Sequence, residues 1–97
     1  MATWALNRNI DWGFTASGLP LSKTYKAALY SKSQGKRILT DGVQSGDKVR
    51  FVWKHDVTLY IPEGNYTIEV YDDSNALMCF APDAVYARKT NFDGDDL

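Results

Sequence analysis

The chain has 97 residues, of which 44% are hydrophobic and 13% aromatic, and its formal net charge is −1. This length allows one domain, and the aromatic content supplies its core, which excludes disorder for most of the chain. Because the charge is nearly balanced and no apolar run approaches about 20 residues, we expect neither nucleic acid nor a membrane as a partner.

Apolar and polar residues alternate in nearly every apolar stretch, and this period of two predicts β-strands. Gly, Pro, Asn and Asp separate the strands at intervals of about 8–12 residues, which is typical of an antiparallel sandwich or barrel. The only helix candidate, residues 76–81, is too short to change this prediction. The predicted strands cover residues 10–16, 25–30, 37–40, 48–54, 57–61, 66–71, 77–80 and 85–88.

We therefore predict an all-β fold, an antiparallel β-sandwich of seven or eight short strands. The sandwich domain covers residues 9–90. An N-terminal arm at residues 1–8 precedes it, and an acidic C-terminal tail at residues 91–97 follows it.

A tight corner between two strands is predicted around Pro62, Gly64 and Tyr66. Pro62 ends a strand because it lacks a backbone donor, and Gly64 can adopt the positive φ that a reversal needs. Tyr66 then enters the next strand on its apolar side, from which its hydroxyl can reach back to the corner backbone. This is the arrangement of the tyrosine corner in immunoglobulin-like sandwiches.

The order of the motifs resembles the small immunoglobulin-like modules of tailed-phage virions, which occur in baseplate, tail and capsid-decorating proteins. The residues that carry the resemblance are Trp12, Phe14, residues 45–51 and residues 61–72. The resemblance implies an immunoglobulin-like fold and a structural role in a virion, with no catalytic residues. Its implied partners are other virion proteins or copies of the same chain, assembled in the host cytoplasm.

Few residues offer reactive chemistry. His55 is the only histidine, and neither Cys79 nor a serine lies in the strand-to-helix elbow that a nucleophile needs. We interpret His55 as a turn residue bonded to Asp56, and Cys79 as a small buried hydrophobe. One Cys and one His cannot make a zinc site, and residues 93–96 lack the loop of an EF-hand. We therefore predict no enzymatic activity, metal or cofactor.

The compartment is predicted from the same residues. A single cysteine cannot form a disulfide within the chain, so this route to stability in secreted domains is absent. The N-terminal residues also lack the basic and apolar segments of a secretory signal. We therefore expect the protein inside a cell or in a particle assembled there, in particular a virion.

Outward-facing and terminal aromatic residues are the candidates for partner binding. Tyr30, Tyr60 and Tyr71 alternate with the apolar positions of their predicted strands, so they are expected to point outward. Tyrosine is enriched at protein interfaces. Trp4 and Phe92 lie outside the strand pattern, where a large apolar side chain either folds back on its own core or reaches a neighbouring subunit. Sheet faces, edges and terminal arms would then bind other subunits. The alternative function is a carbohydrate-binding module that uses exposed aromatic residues.

Overall fold

The computed structural model describes residues 4–7 and 9–88. These residues form seven strands and one short helix, so the predicted all-β class is confirmed. The elements in chain order are β1 (Trp4–Asn7), β2 (Trp12–Ser17), β3 (Tyr25–Ser31), β4 (Lys36–Ser45), β5 (Lys48–Trp53), α1 (His55–Thr58), β6 (Gly64–Asp72) and β7 (Leu77–Arg88).

The strands form one mixed sheet in the order β1-β7-β6-β3-β4-β5-β2. All neighbours are antiparallel except β1 and β7, which run parallel with Trp4 opposite Val85. Strand β4 belongs to both halves of the sheet, because residues 36–41 pair with β3 and residues 42–45 pair with β5. The sheet therefore curls around β4 into a nearly closed barrel.

One hydrophobic core lies between the two halves of the sheet. Its largest fully buried side chains include Phe51 and Trp53 from β5, Tyr66 from β6 and Leu29 from β3. These residues occupy alternate positions of their strands, as expected when one face of a strand is covered and the other faces water. Burial of this apolar surface is the main favourable term in folding.

Gly42 allows β4 to pass from one half of the sheet to the other. A Cβ at this position would lie 2.7 Å from Cε1 of Phe51 and 2.7 Å from Cγ1 of Val49. Only glycine therefore leaves room for these two core side chains at the point where β4 changes its partner.

Side-chain hydrogen bonds continue the connection between β4 and β5 beyond their ladder. Thr40 Oγ1 donates to the carbonyl of Val52 at 2.7 Å. Trp53 Nε1 donates to the carbonyl of Ile38 at 3.0 Å. The two halves of the sheet thus stay joined where the strands diverge.

The predicted contact of Tyr66 with the corner backbone is confirmed, but the corner follows α1 and a turn instead of a strand. Tyr66 is buried, and its hydroxyl donates to the carbonyl of Pro62 at 2.7 Å. Gly64 has a φ of 145°, which a residue with a side chain rarely adopts. The corner fixes the point at which β6 enters the sheet.

Asp72 fixes the turn between β6 and β7. Its Oδ1 accepts hydrogen bonds from the backbone nitrogens of Ser74 at 2.8 Å and Ala76 at 2.9 Å. Its Oδ2 lies 3.2 Å from Nζ of Lys23. The backbone donors, and then Lys23, lower the pKa of Asp72 below its ordinary value. This turn sets the register that places β7 beside β6.

The strand predicted at residues 57–61 is wrong, because residues 55–58 form α1 and residues 59–60 form a turn. Thr58 is fully buried, and its hydroxyl donates to the carbonyl of Ile10 at 2.8 Å and accepts from the nitrogen of Ile10 at 3.2 Å. The helical turn points Thr58 inward and leaves Val57 exposed, which reverses the predicted alternation. Residues 77–81, most of the helix candidate, lie in β7.

Residues 4–7, which fall within the predicted N-terminal arm, form the edge strand β1. Each of them pairs with β7, from Trp4 opposite Val85 to Asn7 opposite Arg88. The predicted acidic tail at residues 91–97 lies outside the described residues. No helix in the described part of the chain is long and apolar enough to cross a membrane.

Candidate interaction surface

The side chains of β4, β3, β6 and β7 that point away from the core form a continuous surface, which we call the outer face. Cross-strand pairing brings Leu39 beside Ala28, Ala28 beside Glu69, and Glu69 beside Phe80. Strand alternation places every second residue on this side. The outer face comprises Lys26, Ala28, Tyr30, Arg37, Leu39, Asp41, Thr67, Glu69, Tyr71, Leu77 and Phe80.

Three large apolar side chains are exposed on the outer face. Leu39 is 55% exposed on β4, and Leu77 and Phe80 are 49% and 59% exposed on β7. Single exposed apolar residues are ordinary, but several on one sheet face are typical of a binding surface. These apolar residues lie on β4 and β7, on either side of β3 and β6.

Glu69 forms the centre of the outer face and is only 9% exposed. Arg37 Nε donates to Oε1 of Glu69 at 2.7 Å, and Arg37 Nη2 donates to Oε2 at 3.4 Å. The hydroxyl of Tyr71 donates to Oε1 at 2.7 Å. The guanidinium carbon of Arg37 lies 4.2 Å from the ring centroid of Tyr30, within the range of a cation–π contact. The four side chains form one connected layer.

In this layer the carboxylate of Glu69 is paired with the guanidinium of Arg37, so its charge is compensated. Hydrogen bonding from Arg37 lowers the pKa of Glu69 below its ordinary value, although burial acts in the opposite direction. The same hydrogen bond raises the pKa of Arg37. Burial, and then the hydrogen bond to Glu69, raises the pKa of Tyr71. At neutral pH the pair is therefore ionised and mutually compensated, and the tyrosine stays protonated.

The structure brings together two of the predicted partner-binding residues. Tyr30 and Tyr71 both lie on the outer face and are connected through Arg37 and Glu69. Tyr60 is 80% exposed but lies in the turn after α1 and is not part of this face.

The other two predicted residues were the terminal aromatics. Trp4 lies against β2, with its ring centroid 6.1 Å from Trp12 and 6.3 Å from Phe14. Of the two alternatives for Trp4, the structure shows the contact with its own chain. Phe92 lies outside the described residues.

Sequence analysis missed the apolar members of the outer face, although the sequence contains a signal for them. Ile38 and Leu39 are consecutive apolar residues in one strand, so one of them must point away from the core. The same reasoning applies to the apolar run of residues 77–80. The Arg37–Glu69 contact has no such signal, because it depends on the strand order.

Two predicted local arrangements are wrong. His55 bonds to Asp11 instead of Asp56, with its backbone nitrogen 2.6 Å and its Nδ1 3.2 Å from Asp11 Oδ1. Cys79 was expected to be buried but is exposed on β7. Partial burial still raises the pKa of its thiol, so the reactive thiolate is disfavoured at neutral pH.

Neither the geometry of the described residues nor comparison with known proteins identifies a reaction or a ligand. Residues 4–7 and 9–88 contain no group of three or more His, Cys, Asp or Glu side chains that could hold a metal ion. No family model, curated protein or solved structure matches the chain. The fold and the outer face define an all-β protein with an exposed, partly apolar sheet surface.

Proposed function

We propose that the protein is a non-enzymatic structural subunit of a phage virion, in the tail, the baseplate or a capsid-associated position. The observation that carries this proposal is the outer face, where exposed Leu39, Leu77 and Phe80 surround the compensated Arg37–Glu69 pair. Aromatic residues, arginine and exposed apolar residues on one face are typical of protein interfaces.

We also propose that the fold is an immunoglobulin-like sandwich. The strand order supports this proposal, because β1, β7, β6, β3 and the first part of β4 form one half of the sheet. The second part of β4, with β5 and β2, forms the other half. The tyrosine corner at Tyr66 is a further feature of such sandwiches. Folds of this class present an outward sheet face that can contact another protein.

The experiment is to detect the chain in purified particles of the virus that encodes it. We expect wild-type protein in mature particles at a fixed copy number. We expect at least a tenfold loss, as a rough magnitude for a charge placed in an interface, from Leu39→Glu or Phe80→Glu. Leu21→Glu changes a comparably apolar residue that is 39% exposed in the β2–β3 loop, and it should leave incorporation unchanged. Absence of the wild-type chain from particles would refute the proposal.

A second candidate function is carbohydrate binding, which the position of Tyr60 favours. Its strongly exposed ring borders a cavity of about 210 Å³, whose lining includes Ile38, Pro62 and Tyr66. Sugar rings stack on exposed aromatic faces. The test is binding to a glycan array, where Tyr60→Ala should abolish the signal and Tyr71→Ala should not. Glycan binding by a chain that is absent from particles would favour this function over the first.

A further inference from the structure

We infer that the partner of the outer face is a second copy of the chain, arranged about a two-fold axis at Leu39. This inference rests on the proposed function, since it names the partner of the same surface. In the dimer, Leu39 of one copy contacts Leu39 of the other, and Arg37 of each copy lies opposite Asp41 of its partner.

The first support is the charge pattern of β4. Arg37, Leu39 and Asp41 occupy successive outer positions, with a cation on one side of the exposed leucine and an anion on the other. A two-fold axis through Leu39 exchanges these two positions. The strand is therefore complementary in charge to a reversed copy of itself, as an interface between identical surfaces requires.

The second support is that Arg37 and Asp41 can each form a further ion pair with a partner. Arg37 uses Nε and Nη2 for Glu69, and its side chain remains 46% exposed. A guanidinium has five N–H donors, so the remaining donors can reach a carboxylate from outside. Among the described residues, no salt bridge includes Asp41, which is exposed beside Lys26.

The third support is the fixed position of the arginine. The contacts with Glu69 and with the ring of Tyr30 hold the guanidinium against the sheet before any partner arrives. A preorganised arginine loses little side-chain freedom on binding, which favours association. The exposed Leu39 then supplies the apolar centre, and the two Arg–Asp contacts set the orientation.

The decisive experiment is disulfide trapping in a Cys79→Ala background, which removes the native thiol. Because the two-fold axis places the two Leu39 side chains together, Leu39→Cys should form a disulfide-linked dimer under mild oxidation. Leu21→Cys, in the β2–β3 loop and not a member of the outer face, is the matched control and should remain monomeric on a non-reducing gel.

Analytical ultracentrifugation of the full chain gives an independent measurement. We expect a dimer for the wild type and for Leu21→Glu, and a monomer for Leu39→Glu with an unchanged circular dichroism spectrum. Asp41→Lys places a cation against Arg37 of the partner and should weaken dimerisation about tenfold or more, with less weakening at high salt.

Failure of this inference is distinguishable from failure of the proposed function. A wild-type monomer in solution would refute the dimer. A dimer that Leu39→Cys does not trap would refute the two-fold axis at Leu39. If such a chain still enters particles through Leu39, the structural role stands with a different partner. A trapped dimer that is absent from particles would instead retain the dimer and refute the virion role.

Discussion

Trp4 and Phe14 lie on opposite edges of the sheet, yet their rings are nearly parallel, with centroids 6.3 Å apart and planes 14° apart. Trp12 contacts both of them and also Trp53 in the core. Strands β1 and β2 have no backbone ladder with each other in the described part of the chain. Aromatic side chains therefore close the barrel at this seam.

We predict that Trp4→Ala destabilises the fold by about 1–2 kcal/mol, because it removes apolar contact and two aromatic pairs from a partly exposed site. Urea unfolding followed by tryptophan fluorescence measures this change. The control is Tyr60→Ala, which truncates a more exposed ring and should change the stability by less than about 0.5 kcal/mol. Equal effects of the two variants would show that Trp4 does not hold the seam.

Tyr66→Phe removes only the hydroxyl that donates to the carbonyl of Pro62. We expect a loss of about 1 kcal/mol in the free energy of unfolding, the usual net contribution of a buried hydrogen bond. Chemical denaturation with matched Tyr60→Phe protein isolates this effect from the general loss of a phenolic group. A Tyr66→Phe midpoint equal to that of the wild type would contradict a stabilising role for the corner.

Gly42→Ala tests the crossing of β4 between the two halves of the sheet. The added methyl group would meet Phe51 and Val49 in the core, and overpacking of this kind costs about 1–3 kcal/mol. A decrease in Tm by several degrees is therefore expected in a thermal scan. Val43→Ala, at the neighbouring exposed position, is the control and should leave Tm nearly unchanged.

The Arg37–Glu69 pair predicts a pH dependence of stability. Because the folded-state pKa of Glu69 is lowered from 4.5, the pair stabilises the fold above that pH. Its contribution is lost as the pH falls below 4.5 and through the lower folded-state pKa.

Glu69→Gln should therefore be less stable than the wild type at pH 7, and the difference should shrink at an acidic pH below the lowered folded-state pKa of Glu69. Denaturant unfolding at both pH values measures the difference. Asp72 and Asp11 also have lowered pKa values, but they are present in both proteins and cancel in the comparison. A stability difference that does not change with pH would contradict the ionic origin of the effect.

The sequence was sufficient for much of the fold. Alternation identified the strands that carry Phe14, Leu29, Phe51 and Ile68, because each has one face on the core. It failed at residues 57–61, where the tertiary bonds of Thr58 favour a helical turn over the local pattern. It also divided β7 into two strands, residues 77–80 and 85–88, although the structure has one strand from Leu77 to Arg88 with a positive φ at Asp83 and a shift of register.

Less of the outer face than of the fold could be predicted from the sequence. Parity placed Tyr30 and Tyr71 outward, and the structure shows both on the outer face. The two tyrosines are connected through Arg37 and Glu69, which are 32 positions apart in the sequence. The contact between Arg37 and Glu69 requires β3 to lie between β4 and β6. Alternation within single strands does not predict the strand order. The contact between Arg37 and Glu69 could therefore be identified only from the structure of the sheet.

The parallel pairing of β1 with β7 has a consequence for folding during synthesis. The ribosome makes β1 first among the described strands, but its only ladder partner in the sheet is the last one to emerge. Until β7 has left the exit tunnel, the backbone of β1 has no ladder in which to bond. Acquisition of the complete native sheet is therefore a late, non-local step, and the rate of refolding should be limited by the search that brings β1 and β7 together.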